Sequence, residues 1–273
     1  TDQWYGKRRP EILDLFEEEV YGRVPPVKLD ITFHPGPVDT DALNGKAIRQ
    51  EVRIAFTNDP EGPGMDLLIY KPNVSSGRPF PVFLGLNFYG NHTIHTDEGI
   101  TITDSWVRNN KEYGITNNRA ISESRGVRRH RWPVEYILER GYALATIYYG
   151  DIDPDYDDGF NNGVHALFKK TGTTETGPED WGSIAAWAWG LTKGLDYLET
   201  DATIDHNKVV VMGHSRLCKT SLWAGAIDQR FAMAISNNSG CGGAALSMRR
   251  YGETVGRINQ SFPHWFCDNF NKY

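Results

Sequence analysis

The chain has 273 residues, of which 39% are hydrophobic and 23% are charged, as in an ordinary globular protein with a sizeable core. Its net charge of −6 argues against binding to polyanions such as nucleic acids, and no apolar run approaches the ~18 residues of a membrane span. The three cysteines lack metal-type spacing, which indicates neither a disulfide framework nor a zinc site.

The N-terminal third predicts one helix, a β-hairpin and a buried strand. Apolar residues recur at helical spacing through residues 10–21. Two extended runs, 46–57 and 65–71, flank a turn rich in proline and glycine, which predicts a hairpin. The apolar run PVFLGLN, residues 81–87, is typical of a strand buried in a parallel sheet.

From residue 95 to 130 the sequence is polar and rich in asparagine, with no clear period. This stretch predicts an insertion above the sheet, serving as a rim or lid rather than a separate domain. The basic run RGVRRHRW, residues 125–132, is interpreted as a solvated face or as donors of salt bridges within the chain. Residues 1–273 are therefore expected to form a single domain that carries one insertion.

Strands and helices alternate through the middle of the chain. Residues 132–140 predict a helix closed by Gly141, 142–149 predict a buried strand, and 179–199 give the longest helix signal. Trp187 and Trp189 in that last helix are interpreted as core residues rather than a platform for sugars. This alternation favours a parallel sheet with right-handed crossovers.

An acidic stretch, GDIDPDYDDG, follows the predicted strand at 142–149. Asp151, Asp153 and Asp155 alternate as the first ligands of an EF-hand calcium loop do. The sixth place of such a loop is Tyr156 rather than glycine, and the twelfth is Asn162 rather than glutamate. These departures argue against a specific calcium site.

The segment 208–226, KVVVMGHSRLCKTSLWAGA, predicts a strand, a sharp turn and a helix around Ser215. Such a turn holds a serine in a strained conformation with its hydroxyl exposed, so Ser215 is the candidate nucleophile. Lys219 lies four residues on, on the same helix face, and Arg216 places its backbone N–H at the helix N-terminus, where donors stabilise an oxyanion. Leu217 stands where the generic motif has a small residue. The alternative is that Arg216 and Lys219 are merely solvated.

The string GHSRLCK resembles G-x-S-R-x-G-K, the elbow of the glucuronoyl esterases, carbohydrate esterase family 15. Cys218 stands where the family has a second glycine. Four further blocks resemble bacterial members in the same order: WPVEYILERGYALATIYYGDIDPD, PEDWGSIAAWAWGL, SNNSGCGGAALS and FPHWFCDNF. The resemblance covers most of the chain from about Trp132 and implies an α/β-hydrolase, a three-layer sandwich with a mostly parallel central sheet. It also implies an enzyme that needs no metal or other cofactor.

The resemblance also implies roles for individual residues. Ser215 would be the nucleophile, Arg216 would stabilise the oxyanion, Lys219 would donate to the hydroxyls of the sugar, and Glu253 would accept from them. A plain surface carboxylate is the alternative for Glu253. In α/β-hydrolases the loop after the strand at 81–87 supplies the second oxyanion donor, so residues 89–90 are expected near the site.

The remaining members of a catalytic triad are harder to place. The acid of the fungal family members falls on or beside Asn238, and neither Asn238 nor Ser239 can hold a histidine as an anion does. His264 is the only histidine after Ser215, and it lies among apolar residues in FPHWF, whose Trp265 is expected to be structural. The catalytic histidine and acid are therefore expected beyond Tyr273, on a C-terminal portion that these residues lack.

The implied reaction is hydrolysis of the ester between 4-O-methyl-glucuronic acid of glucuronoxylan and lignin alcohols, through an acyl-enzyme on Ser215. Because this substrate is a cell-wall polymer, the protein is expected to be secreted or periplasmic, although the first residues lack the apolar core of a signal peptide. It is expected to be a monomer with no nucleic-acid or membrane partner. The alternatives are an acetyl-xylan or other carbohydrate esterase on the same fold, and a non-catalytic carbohydrate-binding relative.

Overall fold

The hairpin predicted from sequence belongs to a larger sheet in the computed structural model. The structure describes residues 1–75, 77–170, 177–248 and 251–273. The described residues form eight strands: β1 Thr32–Pro35, β2 Asp39–Ala42, β3 Ala47–Ala55, β4 Gly64–Pro72, β5 Phe80–Asn87, β6 Ala143–Tyr148, β7 Ile204–His214 and β8 Met233–Asn237. They lie in the order β1-β3-β4-β6-β5-β7-β8, and β2 pairs with β3 beside β1.

The sheet is mixed rather than mostly parallel. Strands β6, β5, β7 and β8 are parallel neighbours, as the alternation of strands and helices predicts. The pairs that involve β1 to β4, including β4 with β6, are antiparallel. The predicted hairpin is confirmed, with Ala55 opposite Gly64 across its turn. The parallel half supplies the strand ends on which the site is built.

The described residues also form seven α-helices, which include the helices predicted near residues 10, 132, 179 and 216. The helices are α1 Arg9–Phe16, α2 Val134–Glu139, α3 Tyr149–Ile152, α4 Gly163–Lys170, α5 Ser183–Leu198, α6 Arg216–Ile227 and α7 Val255–Ser261. Helix α1 is extended on both sides by π-helical turns, Trp4–Arg8 and Glu17–Tyr21. None of the described helices has the length and apolar character needed to cross a membrane.

Neighbouring residues of β4 point to opposite faces of the sheet and enter two different cores. Leu67 and Ile69 belong to the large core that contains α5. Leu68 and Tyr70 belong to a smaller core that contains α2. Helices therefore cover both faces, which gives the three layers that the sequence predicts.

Helix α5 is the centre of the large core. Trp187 is fully buried and Trp189 is 9% exposed, which confirms that both are core residues. The indole N–H of Trp187 donates to the backbone carbonyl of Asp153 at 2.7 Å. This contact fixes the acidic segment after β6 against the helix.

The insertion, residues 95–130, consists of loops and short 3-10 turns. Its first part is anchored to the sheet because Asp97 accepts from Arg49 and from the Tyr70 hydroxyl, each at 2.5 Å. Further along, the hydroxyl of Tyr148, the last residue of β6, donates to the Trp106 carbonyl at 2.7 Å. The insertion therefore lies at the end of the sheet where the parallel strands finish.

Candidate active site

Ser215 stands alone between the last residue of β7 and the first residue of α6. Its backbone has φ 57° and ψ −127°, a conformation that residues other than glycine rarely adopt. A Cβ atom on Gly213 would lie 2.2 Å from the carbonyl oxygen of Leu217, so the chain turns this sharply only with glycine there. The predicted strand, turn and helix are present, with the serine in the strained conformation expected of a nucleophile elbow.

Cys218 fits the place where the similar family has glycine. Its sulfur accepts a hydrogen bond from the backbone N–H of Asn237 at 2.8 Å and lies 3.2 Å from Ser236 Oγ. The backbone N–H of Ser215 donates in turn to the Asn237 carbonyl at 3.1 Å. The thiol thus ties the first turn of α6 to the end of β8, and the elbow keeps its shape.

Arg216 is the first residue of α6, so its backbone N–H lacks an acceptor within the helix. Its side chain is only 18% exposed, and its guanidinium carbon lies 4.8 Å from the ring centre of Trp265 and 5.4 Å from that of Phe262. Nη1 donates to the carboxylate of Asp155, whereas Nε is buried and has no partner among the described residues. The interpretation of Arg216 as a solvated residue is wrong.

Lys219 is also buried, with a side chain only 3% exposed. Its ammonium lies 3.5 Å from Glu253 Oε2 and 5.6 Å from the ring centre of Trp265. Burial lowers the pKa of Lys219, while the neighbouring carboxylate of Glu253 opposes that shift. The solvated alternative is wrong for Lys219 as well. Glu253 is 40% exposed and faces this buried cation, so it is not an unpartnered surface carboxylate.

The loop after β5 approaches the elbow through Phe88. The ring of Phe88 lies 6.5 Å from that of His214, and the ring of Tyr89 packs instead against Tyr113 of the insertion at 5.1 Å. The N–H of Gly90 donates to Asn87 Oδ1 at 2.9 Å. Phe88 thus lies beside the elbow, the Gly90 amide is bound to Asn87, and the expectation that residues 89–90 lie near Ser215 stays a prediction.

Asp155 is a residue of this site that the sequence reading did not assign. Its side chain is fully buried, and it accepts from His264 Nε2 at 3.0 Å, from Trp265 Nε1 at 2.8 Å and from the charged guanidinium of Arg216. Burial alone would raise the pKa of Asp155. The hydrogen bond from His264 and the charge of Arg216 outweigh it and hold the pKa well below the usual range of a carboxyl. Asp155 is therefore an anion at the centre of the site.

The other two aspartates of the alternating stretch face different partners. Asp153 is buried and accepts from His165 Nδ1 at 2.9 Å and from Ser183 Oγ at 2.5 Å. Asp151 accepts from Thr103 Oγ1 at 3.2 Å. The three aspartates that alternate as in a calcium loop thus belong to three separate hydrogen-bond networks.

Asp151 predicts a specific pH dependence of stability. Burial raises the pKa of Asp151 to about 7, and the charge of Asp66 adds to the effect while hydrogen bonds from Ser105 and Thr103 oppose it. The folded state therefore binds this proton more tightly than the unfolded state does, and stability is lost as pH rises from about 4 to about 7. Asp151→Asn is expected to gain on the order of 2 kcal/mol relative to wild type between pH 5 and pH 8.

Urea unfolding of both proteins across this pH range measures the difference. Asp157→Asn, at an exposed position in the same segment, is the control and should follow the wild-type profile. Parallel profiles for Asp151→Asn and wild type would contradict the assignment.

The rest of a triad does not assemble from the residues considered in the sequence. Asn238 follows β8 directly, with φ 59°, and brings no carboxylate to that strand end. His264 is buried and binds Asp155 through Nε2, and its Nδ1 has no partner within the described part of the chain. The expectation that the catalytic histidine and acid follow Tyr273 stays a prediction.

A mixed sheet between helical layers, with a strained serine between a parallel strand and a helix, is the arrangement of the α/β-hydrolase fold. Comparisons with known proteins narrow this class. A family model described as glucuronyl esterase, fungi, matches residues 171–273. A solved structure described as a promiscuous CE15 esterase from a marine bacterial metagenome superposes with a TM-score of 0.91 at 55% identity, covering all of this chain and 68% of that one. The chain belongs to carbohydrate esterase family 15, the glucuronoyl esterases.

Two curated relatives show how far the similarity extends. Carbohydrate esterase MZ0003, from an unknown prokaryotic organism, is 56% identical over 271 residues, which are 99% of this chain and 62% of that protein. The 4-O-methyl-glucuronoyl methylesterase 1 of Wolfiporia cocos is 32% identical over 141 residues, which are 48% of this chain and 34% of that protein. The chain thus spans less than two thirds of the length of either curated relative.

Proposed function

We propose that the protein is a serine esterase that hydrolyses the ester between 4-O-methyl-glucuronic acid of glucuronoxylan and lignin alcohols. The observation that carries the proposal is the elbow itself. Ser215 is held in a strained conformation at the N-terminus of α6, whose first turn carries two largely buried cations, Arg216 and Lys219. The similarity to a 4-O-methyl-glucuronoyl methylesterase supports 4-O-methyl-glucuronic acid as the acid component of the ester.

In the proposed reaction, Ser215 Oγ attacks the carbonyl carbon of the uronate ester. The negative charge that develops on the carbonyl oxygen faces the first turn of α6, where the backbone N–H and the guanidinium of Arg216 are donors. The bond to the alcohol breaks, the alcohol leaves with a proton, and an acyl-enzyme remains. Water then attacks the acyl-enzyme and releases the uronic acid and Ser215.

Proton transfer in this scheme needs a general base. His264 is bound to Asp155 through Nε2 and is buried, so we do not assign the role to it. We propose, as the sequence predicts, that the catalytic histidine and acid follow Tyr273, and that residues 1–273 alone would be inactive or nearly so. Activity measurements therefore call for the intact protein.

Lys219 and Glu253 are proposed to bind the sugar. The ammonium donates, the carboxylate accepts, and their separation of 3.5 Å lets both contact neighbouring hydroxyls of one ring. Sugars lacking a uronate ester would use this pair less, because their reactive acyl group is attached elsewhere on the ring. The pair is thus the proposed basis of selectivity for glucuronates.

Comparing two substrates tests the proposal against its closest rival, an acetyl-xylan or other carbohydrate esterase. The intact protein is expected to hydrolyse methyl 4-O-methyl-glucuronate with a higher kcat/KM than an acetylated xylose. Lys219→Ala and Glu253→Ala should each lower kcat/KM for the glucuronate by about 10-fold to 100-fold, since each removes a charged hydrogen bond. Both should change hydrolysis of the acetylated sugar by less than about 3-fold.

Lys208→Ala is the matched control, because this exposed lysine pairs with Asp205 on the surface. A different result would favour an esterase that acts on carbohydrates more broadly. The acetylated sugar would then have the higher kcat/KM, and Lys219→Ala and Glu253→Ala would lower the rates on both substrates equally. This outcome would agree with the similarity to the promiscuous CE15 esterase. Binding of glucuronoxylan without any turnover would favour a non-catalytic relative.

We further propose that the protein is a monomer. We also propose that it works outside the cytoplasm, because its proposed substrate is a cell-wall polymer. Neither nucleic acid nor membrane is a proposed partner, in keeping with the net charge of −6. Cell fractionation and light scattering of the purified protein test these two points. A cytoplasmic location or a stable oligomer would contradict them.

A further inference from the structure

Five donors converge on the buried carboxylate of Asp155, and they come from separate parts of the chain. Oδ1 accepts from the imidazole of His264 and the indole of Trp265. Oδ2 accepts from the hydroxyl of Tyr149 at 3.0 Å, from Arg108 Nη2 at 3.2 Å and from Arg216 Nη1. A carboxylate with both oxygens bound in this way has a fixed position and a fixed orientation.

The guanidinium of Arg216 is constrained on its faces as well as at Nη1. Trp265 and Phe262 are stacked on each other, with ring centres 3.7 Å apart, and the guanidinium lies within 5.4 Å of both centres. The ring of Phe88 lies 5.8 Å from the same guanidinium carbon. Aromatic contacts of this kind orient a planar cation. Since Asp155 also binds the N–H of Trp265, it positions both the arginine and the ring beneath it.

The guanidinium of Arg216 has a buried N–H that no described residue accepts. Nη1 is bound to Asp155, while Nε is buried without a partner among the described residues. A buried N–H that binds nothing is unfavourable by about 1 to 3 kcal/mol, so such groups are rare without a functional reason. A charged donor held this way, one residue from Ser215, is suited to an anion that forms only during the reaction.

The charges around Asp155 do not cancel. Arg108 and Arg216 together carry two positive charges against the one negative charge of Asp155, so one positive charge remains. Arg108 belongs to the insertion, and its Nη2 also donates to the backbone carbonyl of Asp155 at 3.0 Å. The carboxylate is thus held in place without removing the positive charge from the site.

We propose that Asp155 is the positioning residue that holds the Arg216 guanidinium ready for the oxyanion. This inference rests on the proposed function, because it refines the same reaction on Ser215. Asp155 touches no reacting atom and acts through the Arg216 guanidinium, which it holds directly and through the ring of Trp265 beneath it. The rival explanation is that Asp155 is a purely structural pin between the loop after β6 and the segment at His264.

A kinetic double-mutant cycle separates the two explanations. In the intact protein, Asp155→Asn is expected to lower kcat on methyl 4-O-methyl-glucuronate by about 10-fold to 100-fold with KM changed less than about 3-fold, and Arg216→Ala by about 100-fold to 1000-fold. The double variant should match Arg216→Ala within about 3-fold, because no guanidinium of Arg216 is left for Asp155 to position. A structural pin would instead show the full Asp155→Asn factor in the Arg216→Ala background, and that result overturns the proposal.

Asp157→Asn, an exposed change in the same segment, is the control and should leave kcat unaltered. Should the wild-type protein hydrolyse acetyl esters and not glucuronates, the proposed substrate fails while the same cycle on the acetyl ester still tests Asp155. Should no ester be hydrolysed, a crystal structure of Asp155→Asn tests whether Asp155 positions the Arg216 guanidinium. The guanidinium is expected to leave the face of Trp265, and a guanidinium that stays there overturns the proposal.

Discussion

Ser215→Ala is expected to lower kcat on methyl 4-O-methyl-glucuronate by about 10⁵-fold, because no acyl-enzyme can form without the hydroxyl. The midpoint of thermal unfolding should change little, since Ser215 is only partly buried and alanine is no larger. Initial rates of ester cleavage and a thermal melt of the same preparation measure the two quantities. Loss of activity in a protein of unchanged stability assigns the hydroxyl to chemistry.

Ser221→Ala is the matched control for this experiment. Ser221 lies on the same helix, and its hydroxyl donates to the Leu217 carbonyl at 2.9 Å, within the helix itself. Its removal should leave kcat within about 3-fold of wild type, because this hydroxyl binds a backbone carbonyl of the preceding turn. If Ser215→Ala kept more than about 1% of the wild-type rate, Ser215 would not be the nucleophile.

The elbow was predictable because it is local. A β-rich run, Gly213, a serine and a helical segment lie within 19 consecutive residues, and the backbone strain at Ser215 follows from that order. The place of Lys219 on the helix face of Ser215 was predicted from the same local geometry, whereas the burial of Lys219 and Arg216 comes from the tertiary fold. Helical spacing places side chains on one face whatever the rest of the fold does.

The role of Asp155 could not be predicted because it is tertiary. Three of its five partners, Arg216, His264 and Trp265, lie 61, 109 and 110 positions away along the chain. Sequence spacing alone led to the question of a calcium loop, whereas the fold turns Asp153 and Asp155 toward different networks. A clue was present in the sequence, because acidic residues directly after a buried parallel strand lie at the edge where active sites form.

The antiparallel half of the sheet is a second feature that local sequence patterns could not predict in full. Strands β1 and β2 have only four residues each and include proline and aspartate, so their local preference for a strand is weak. They form because β3 offers an edge on which both can pair. Their addition, together with the antiparallel pair β4 and β6, makes the sheet mixed where alternation alone indicated a mostly parallel one.

Asp153→Ala is expected to destabilise the fold by roughly 3 to 5 kcal/mol, because it leaves two buried hydrogen-bonding groups without their partner. Asp153 is 3% exposed, and both ring nitrogens of His165 face oxygen acceptors, Asp153 Oδ1 and the Trp181 carbonyl at 3.0 Å. Without the carboxylate, one ring nitrogen and the Ser183 hydroxyl lose their buried partner. At about 2 to 4 °C per kcal/mol for a domain of this size, the unfolding midpoint should fall by roughly 10 °C.

Thermal unfolding followed by circular dichroism measures this shift, and Asp157→Ala is the control with an expected change under about 1 °C. The effects on stability and on kcat should be compared with those of Asp155→Asn, because the two buried carboxylates are only two residues apart. The carboxylate of Asp153 binds His165 and Ser183, and its backbone carbonyl binds Trp187, so Asp153→Ala should lower the melting temperature while leaving kcat on folded protein within about 3-fold of wild type. A large fall in kcat at low temperature, with the midpoint unchanged, would place Asp153 in the catalytic site and contradict the division of the acidic stretch into a structural and a functional aspartate.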